Sequence, residues 1–154
     1  MSLQGTCDMM FPMRNLLLLT LLTVAGLTAQ TVTLTALEKE FQDSMAGVVL
    51  EGQSTRDGSP GLSEDKYGID RVVKTGDDQW TFYARVEAKG QTMTVPLPLQ
   101  VKWAGDTPVI TLTDQALPGM GSYTARVVVY RGQYAGTWSG KNGGGKVFGK
   151  IVKK

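Results

Sequence analysis

The sequence contains no histidine and a single cysteine, Cys7. Imidazole and thiolate are the usual ligands of zinc, copper and iron, and they supply the Ser-His and Cys-His pairs of nucleophilic catalysis. Without them only carboxylate chemistry remains, so no catalytic residue, metal ligand or cofactor is expected. A strong excess of charge is missing too. Lys and Arg number 16 against 14 acidic residues, a formal net charge of +2, too little for an electrostatic footprint on nucleic acid. Long hydrophobic runs are also absent. The longest, Leu16 to Leu27, is interrupted by Thr20, Thr23 and Gly26 and covers about a dozen residues, whereas a membrane-spanning helix needs roughly 20.

That short run follows Met13-Arg14-Asn15 and precedes Leu27-Thr28-Ala29. A basic start, an apolar centre and a small-residue exit read as a secretory signal peptide, with Met13 as the biological start and residues 1–12 as an upstream extension. An uncleaved anchor is the weaker alternative. Cleavage after Ala29 would export residues 30–154 as one domain, periplasmic or extracellular, with no stable membrane span. Cys7 would leave with the removed segment, and the absence of a cysteine at the cleavage point removes the attachment site of a lipoprotein.

Within the domain, Thr35-Ala36-Leu37-Glu38 has the form of a capping box. Leu34, Leu37, Phe41 and Met45 then recur at helical spacing before Gly47, which predicts a helix over 35–46 that docks by one narrow apolar stripe. Beyond Gly47 the period becomes two. In "TMTVPLPLQVKW" Met93, Val95, Leu97, Leu99, Val101 and Trp103 alternate with Thr92, Thr94, Pro96, Pro98, Gln100 and Lys102, the pattern of a strand with one buried face. The two prolines place it at an edge or a bulge. "QWTFYARVEA" alternates in the same way. With "GVVLEGQST", "KYGIDRVVK", "PVITLT", "SYTARVVVY", "QYAGTWS" and "KVFGKIV" there are about eight short strands, which predicts an all-β antiparallel meander closed as a small barrel or folded as a sandwich. The stretch from Arg56 to Asp65 reads as a long mobile loop.

"GKNGGGKV", residues 140–147, meets most of the phosphate-loop pattern. A phosphate loop must open a helix, so that backbone N–H groups and the helix dipole face the anion. Here "KVFGKIVKK" follows, with strand character, and Val147 stands where the magnesium-binding hydroxyl would be. The expectation is a glycine-rich loop between two strands and no nucleotide.

Gly136-Thr137-Trp138 resembles the strand start of avidin-like barrels and the Gly-x-Trp signature of lipocalins, both eight-stranded ligand-holding barrels. Those families carry the motif on the first strand and this chain on the penultimate one, so no binding residue is carried over. More widely, the layout of leader, short helix, "WAGDTPVITLTD", "PGMGSYTARVVVY" and "YAGTWSGKNGGGKVFGKI" resembles an uncharacterised family of small exported bacterial proteins. The resemblance spans most of the mature chain and implies export and an all-β fold, with no activity attached.

Trp80, Trp103, Tyr134 and Trp138 share the parity of their strands' apolar faces. They would either fill the interior or line a pocket for an apolar or sugar-like ligand. Trp138, beside the glycine run, is the best pocket candidate. Asp57, Glu64, Asp65, Asp70, Asp77, Asp78, Asp106 and Asp114 read mainly as turn and loop acids. The function expected is a non-catalytic binding or interaction module of the bacterial envelope or exterior, whose partner is a small ligand or an envelope component. A carboxylate-only enzyme such as a glycosidase, or an outer-membrane barrel with Met93 to Trp103 facing lipid, are the alternatives.

Overall fold

Thr35 caps the first element. Its hydroxyl accepts the Glu38 N–H at 3.3 Å, and the Glu38 carboxylate accepts the Thr35 N–H at 2.9 Å, completing the capping box and starting α1, Ala36–Ser44. The computed structural model describes residues 32–88, 90–117 and 121–154, so the leader read in residues 1–29 lies outside the described residues. The helix stops at Met45. Gly47 then adopts φ +62°, open to glycine at little steric cost, and its N–H bonds the Asp70 carbonyl at 2.9 Å.

Eight strands follow: β1 (Val48–Ser54), β2 (Ser63–Lys74), β3 (Gln79–Ala88), β4 (Gln91–Ala104), β5 (Thr107–Leu117), β6 (Gly121–Tyr130), β7 (Gln133–Gly140) and β8 (Gly143–Lys153). Each pairs antiparallel with the next, and β1 pairs with β8, closing a barrel rather than a sandwich. Short turns make this possible. Arg131 and Gly132 both have positive φ, 48° and 73°, the geometry of a type I′ hairpin whose twist matches that of the strands.

The alternation read in the sequence sets the inner and outer faces. Leu99 and Val101 of β4 are buried, while Thr92, Thr94 and Lys102 are exposed. The apolar face turns inward, the reverse of what a lipid-facing barrel would require. No helix among the described residues is long and apolar enough to cross a membrane.

One end of the barrel is filled by α1. Phe41 packs its ring 5.4 Å from Trp80, edge to face, and 6.0 Å from Trp103. Met45, Val48, Val72 and Val101 are among the most completely buried side chains around it. Two lysines on inward positions of that end tie the helix down. Lys74 Nζ bonds Glu38 Oε1 at 2.7 Å, both side chains 11% exposed. Lys153 Nζ donates to the carbonyls of Asp43 and Ala46 at 3.1 and 2.8 Å, satisfying acceptors that the helix end leaves free. Burial opposes the charge on Glu38, but hydrogen bonds from Lys74 and Thr35 outweigh it and hold its carboxyl below the ordinary value.

The other end, bearing the β1–β2, β3–β4, β5–β6 and β7–β8 connections, is open. The β2–β3 ladder ends at Gly68 and Arg85, and the β4–β5 ladder covers only Gln100–Ala104 with Thr107–Thr111. The upper β3–β4 hairpin therefore stands apart from both neighbours among the described residues. Val101 N donates to Asp78 O, on the β3 side. Since alternate residues of a strand point their N–H groups to opposite sides, the nitrogens of Pro96 and Pro98 face the unpaired β5 side. This is an edge within a closed barrel, where a missing donor costs no ladder bond. Outside, Asp70 at the β2 bulge ties the hairpin base together by accepting from Thr94 at 2.6 Å and Arg85 at 2.8 Å. Those bonds, Thr94 first, hold its carboxyl below the usual range.

The stretch read as a mobile loop is partly strand and partly anchored. Thr55 N bonds Lys146 O at 2.9 Å and Asp57 N bonds Gly144 O at 2.8 Å, which carries the β1–β8 ladder beyond Ser54. Ser63 to Asp65 already belong to β2.

Candidate binding site in the open half of the barrel

The glycine run is not a loop. Gly143, Gly144 and Gly145 lie in β8, and the β7–β8 connection is only Lys141-Asn142. The strand needs glycine because other groups occupy the space. A Cβ on Gly145 would collide with the Thr55 carbonyl, and one on Gly140 would meet the Tyr123 ring at 3.1 Å. Lys146 is exposed on the outer face.

The same principle shapes the interior. Tyr134 of β7 pairs with Gly149 of β8, Gly149 with Gly52 of β1, and Gly52 with Asp65 of β2. These four residues form one rung across four strands, and the two in the middle have no side chain. The Tyr134 ring lies over them, its hydroxyl 2.8 Å from where a Cβ on Gly149 would sit and in contact with where one on Gly52 would sit. The phenol thus points along the rung toward Asp65. Tyr134 is 4% exposed, and its hydroxyl has no hydrogen-bond partner among the described residues; the same holds for Asp65 Oδ2 and Trp138 Nε1 in this half and for Trp80 Nε1 in the helix-end core.

Tyr67, inward on β2 two residues from Asp65, completes the cluster. Burial, then the Asp65 charge and the neighbouring Tyr134, push its hydroxyl up to about 12. Burial and then Asp65 also raise Tyr134. The Tyr67 residue is nonetheless 44% exposed, since its ring stands at the open end. Beside it, Tyr123 of β6 lies 6.1 Å from the Trp138 ring, and the Arg56 guanidinium is 5.3 Å from the same ring. Facing this polar side, β3 and β4 present Val86, Met93, Val95 and Leu97 from their inward positions. Met93 is 48% exposed. The open half is thus lined by phenols, an indole and one carboxylate on one side and aliphatic groups on the other.

The four aromatic candidates separate. Tyr134 and Trp138 belong to this open half. Trp80, 1% exposed, is core beneath Phe41. Trp103 is half-buried at the helix end, beside a depression of about 470 Å³ between α1 and the β4–β5 and β6–β7 turns. Asp65, Tyr67 and Tyr123 were not singled out as a site by the sequence. The available signal was parity: Asp65 and Tyr67 alternate in step with Ile69, so an acid occupies a position of core parity. Among the described residues no group of three Asp, Glu or Cys side chains could hold a metal ion.

No protein-family model matches the chain, and no curated protein matches it.

Proposed function

We propose that the protein is an exported binding barrel that takes a small amphipathic molecule through its open end, with no catalytic step. One observation carries the reading. The Tyr134 hydroxyl is enclosed in the barrel without a hydrogen-bond partner among the described residues, and a buried hydroxyl left unpaired costs on the order of 1–3 kcal/mol. Asp65 Oδ2 and Trp138 Nε1 share that condition on neighbouring inward positions. Partners would come from a bound molecule whose polar atoms meet this side while its apolar part lies on Met93 and Leu97. Pockets of this kind, mostly apolar with a few convergent polar groups, are typical small-molecule sites. The leader-like segment ending at Ala29 supports export.

A library of small amphiphiles screened by amide and indole NMR shifts tests the site. Saturable binding should move Tyr67, Tyr134 and Trp138 signals and leave those of Trp80 in place. The reading fails if no compound saturates and an experimental structure places only ordered water on Tyr134 Oη, Asp65 Oδ2 and Trp138 Nε1, the unpaired atoms of the open half. Export is checked separately by mass spectrometry of the native protein, whose N-terminus is expected near Gln30.

A further inference from the structure

Resting on the reading of the open half as a binding site, we infer that its ligand carries a protonated primary amine, held between Asp65 and the Tyr134 hydroxyl. The first ground is charge. Three inward positions of the barrel that the register resolves carry acidic or basic residues: Lys74, Lys153 and Asp65. Both lysines lie at the helix end, where Lys74 meets Glu38 and Lys153 meets two helix carbonyls. Of these three, Asp65 is the one in the open half. Its Oδ2 has no partner among the described residues, and an acid in that condition is complemented by a cation.

The second ground is the inventory of donors and acceptors. A carboxylate oxygen only accepts, and a tyrosine hydroxyl does either. Tyr134 is 4% exposed and its hydroxyl is aimed along the rung at Asp65 across the two glycines. An ammonium group has three donors and no acceptor, so it can donate to both oxygens at once. A neutral hydroxyl has one donor and serves only one of them. The remaining charge nearby, Arg56, faces Trp138 and donates to the Asn142 carbonyl at 3.1 Å. The ligand tail falls on the aliphatic side, Met93, Val95 and Leu97, which suits an alkyl or aryl amine.

Three probes of one shape decide it: hexylamine, hexanol and hexanoate, titrated at neutral pH and followed by calorimetry and NMR shifts. Hexylammonium should bind at least about tenfold more tightly than hexanol, and hexanoate more weakly than either. Asp65→Asn should erase the preference for the amine, read as the ratio of hexylamine to hexanol affinity falling to about one. Its fold is checked by its melt, and Tyr134→Phe provides a second variant in which the amine preference should fall. Equal binding of all three probes would overturn the amine assignment and leave the binding site standing, as would a preference for hexanoate, which would transfer recognition to Arg56. If none of the probes saturates, the amine assignment fails; if the amphiphile library also fails, the site itself fails with it.

Discussion

A residue without a side chain can be as specific as one with a functional group when another ring needs its place. Gly52 and Gly149 are the two such positions in the Tyr134 rung, and a Cβ on Gly52 would strike both the Phe148 carbonyl and the Tyr134 hydroxyl. Gly52→Ala should therefore expel the phenol or shift the strand, destabilising by about 3 kcal/mol or more, of the order of overpacking and lost packing together. Tyr134→Phe should do the opposite in the ligand-free protein. It deletes an unpaired buried hydroxyl and is expected to be neutral or stabilising by up to about 1 kcal/mol. Denaturant melts of both variants check the pair, and a destabilised Tyr134→Phe would mean that the hydroxyl already has a partner. The Asp65 contact has its own readout in the ultraviolet titration of Tyr67, taken as the difference between wild type and Tyr67→Phe. Because burial and the Asp65 charge both disfavour phenolate, ionisation is expected near pH 12, and Asp65→Asn should bring it down toward the ordinary value of 10.

At the scale of elements, the attachment of α1 depends on pH. Glu38 has its folded-state pKa held below the ordinary 4.5 by Lys74 and Thr35. A depressed carboxylate pKa contributes stability that is present above the unfolded value and lost as pH falls through the folded one. Acidification below about 4.5 should thus loosen the helix from the barrel end, and Phe41 with it. The emission of Trp80 and Trp103, which Phe41 covers, should shift over that range in wild type and be shifted already at neutral pH in Glu38→Gln. The helix and the inward face of β4 were legible because both are written as periodic large hydrophobes: the capping box named Thr35, and parity placed Leu99 and Val101 inside. The glycines of β8 were not legible. Periodicity is carried by side chains, and glycine has none to carry it. What fixes these residues is the Thr55 carbonyl and the Tyr134 ring, reached by pairings about a hundred residues apart in the case of β1 with β8. For the same reason Tyr134 and Trp138 could be named as aromatics of core parity, while Asp65 read as one of many turn acids.

For the molecule as a whole, closure is the dominant constraint. The ladder between β1 and β8 joins the two ends of the meander, so no barrel exists until the last strand is in place, and such non-local topologies fold in milliseconds to seconds. Refolding followed by Trp80 fluorescence should show a single phase in that range, with the upper β3–β4 hairpin the least protected part in hydrogen exchange. The prolines of that hairpin have a consequence for life among other copies of the chain. An unpaired strand edge is a template on which a neighbouring molecule can extend the sheet, and natural proteins blunt such edges with proline. Pro96 and Pro98 stand on the unpaired side of β4, so a second chain approaching there finds acceptors without the donors it needs. Pro96→Thr with Pro98→Thr should leave the monomer folded while making concentrated samples dimerise or fibrillise, as read by light scattering and thioflavin fluorescence; a double variant that stays monomeric at millimolar concentration would mean that crowding never reaches this edge.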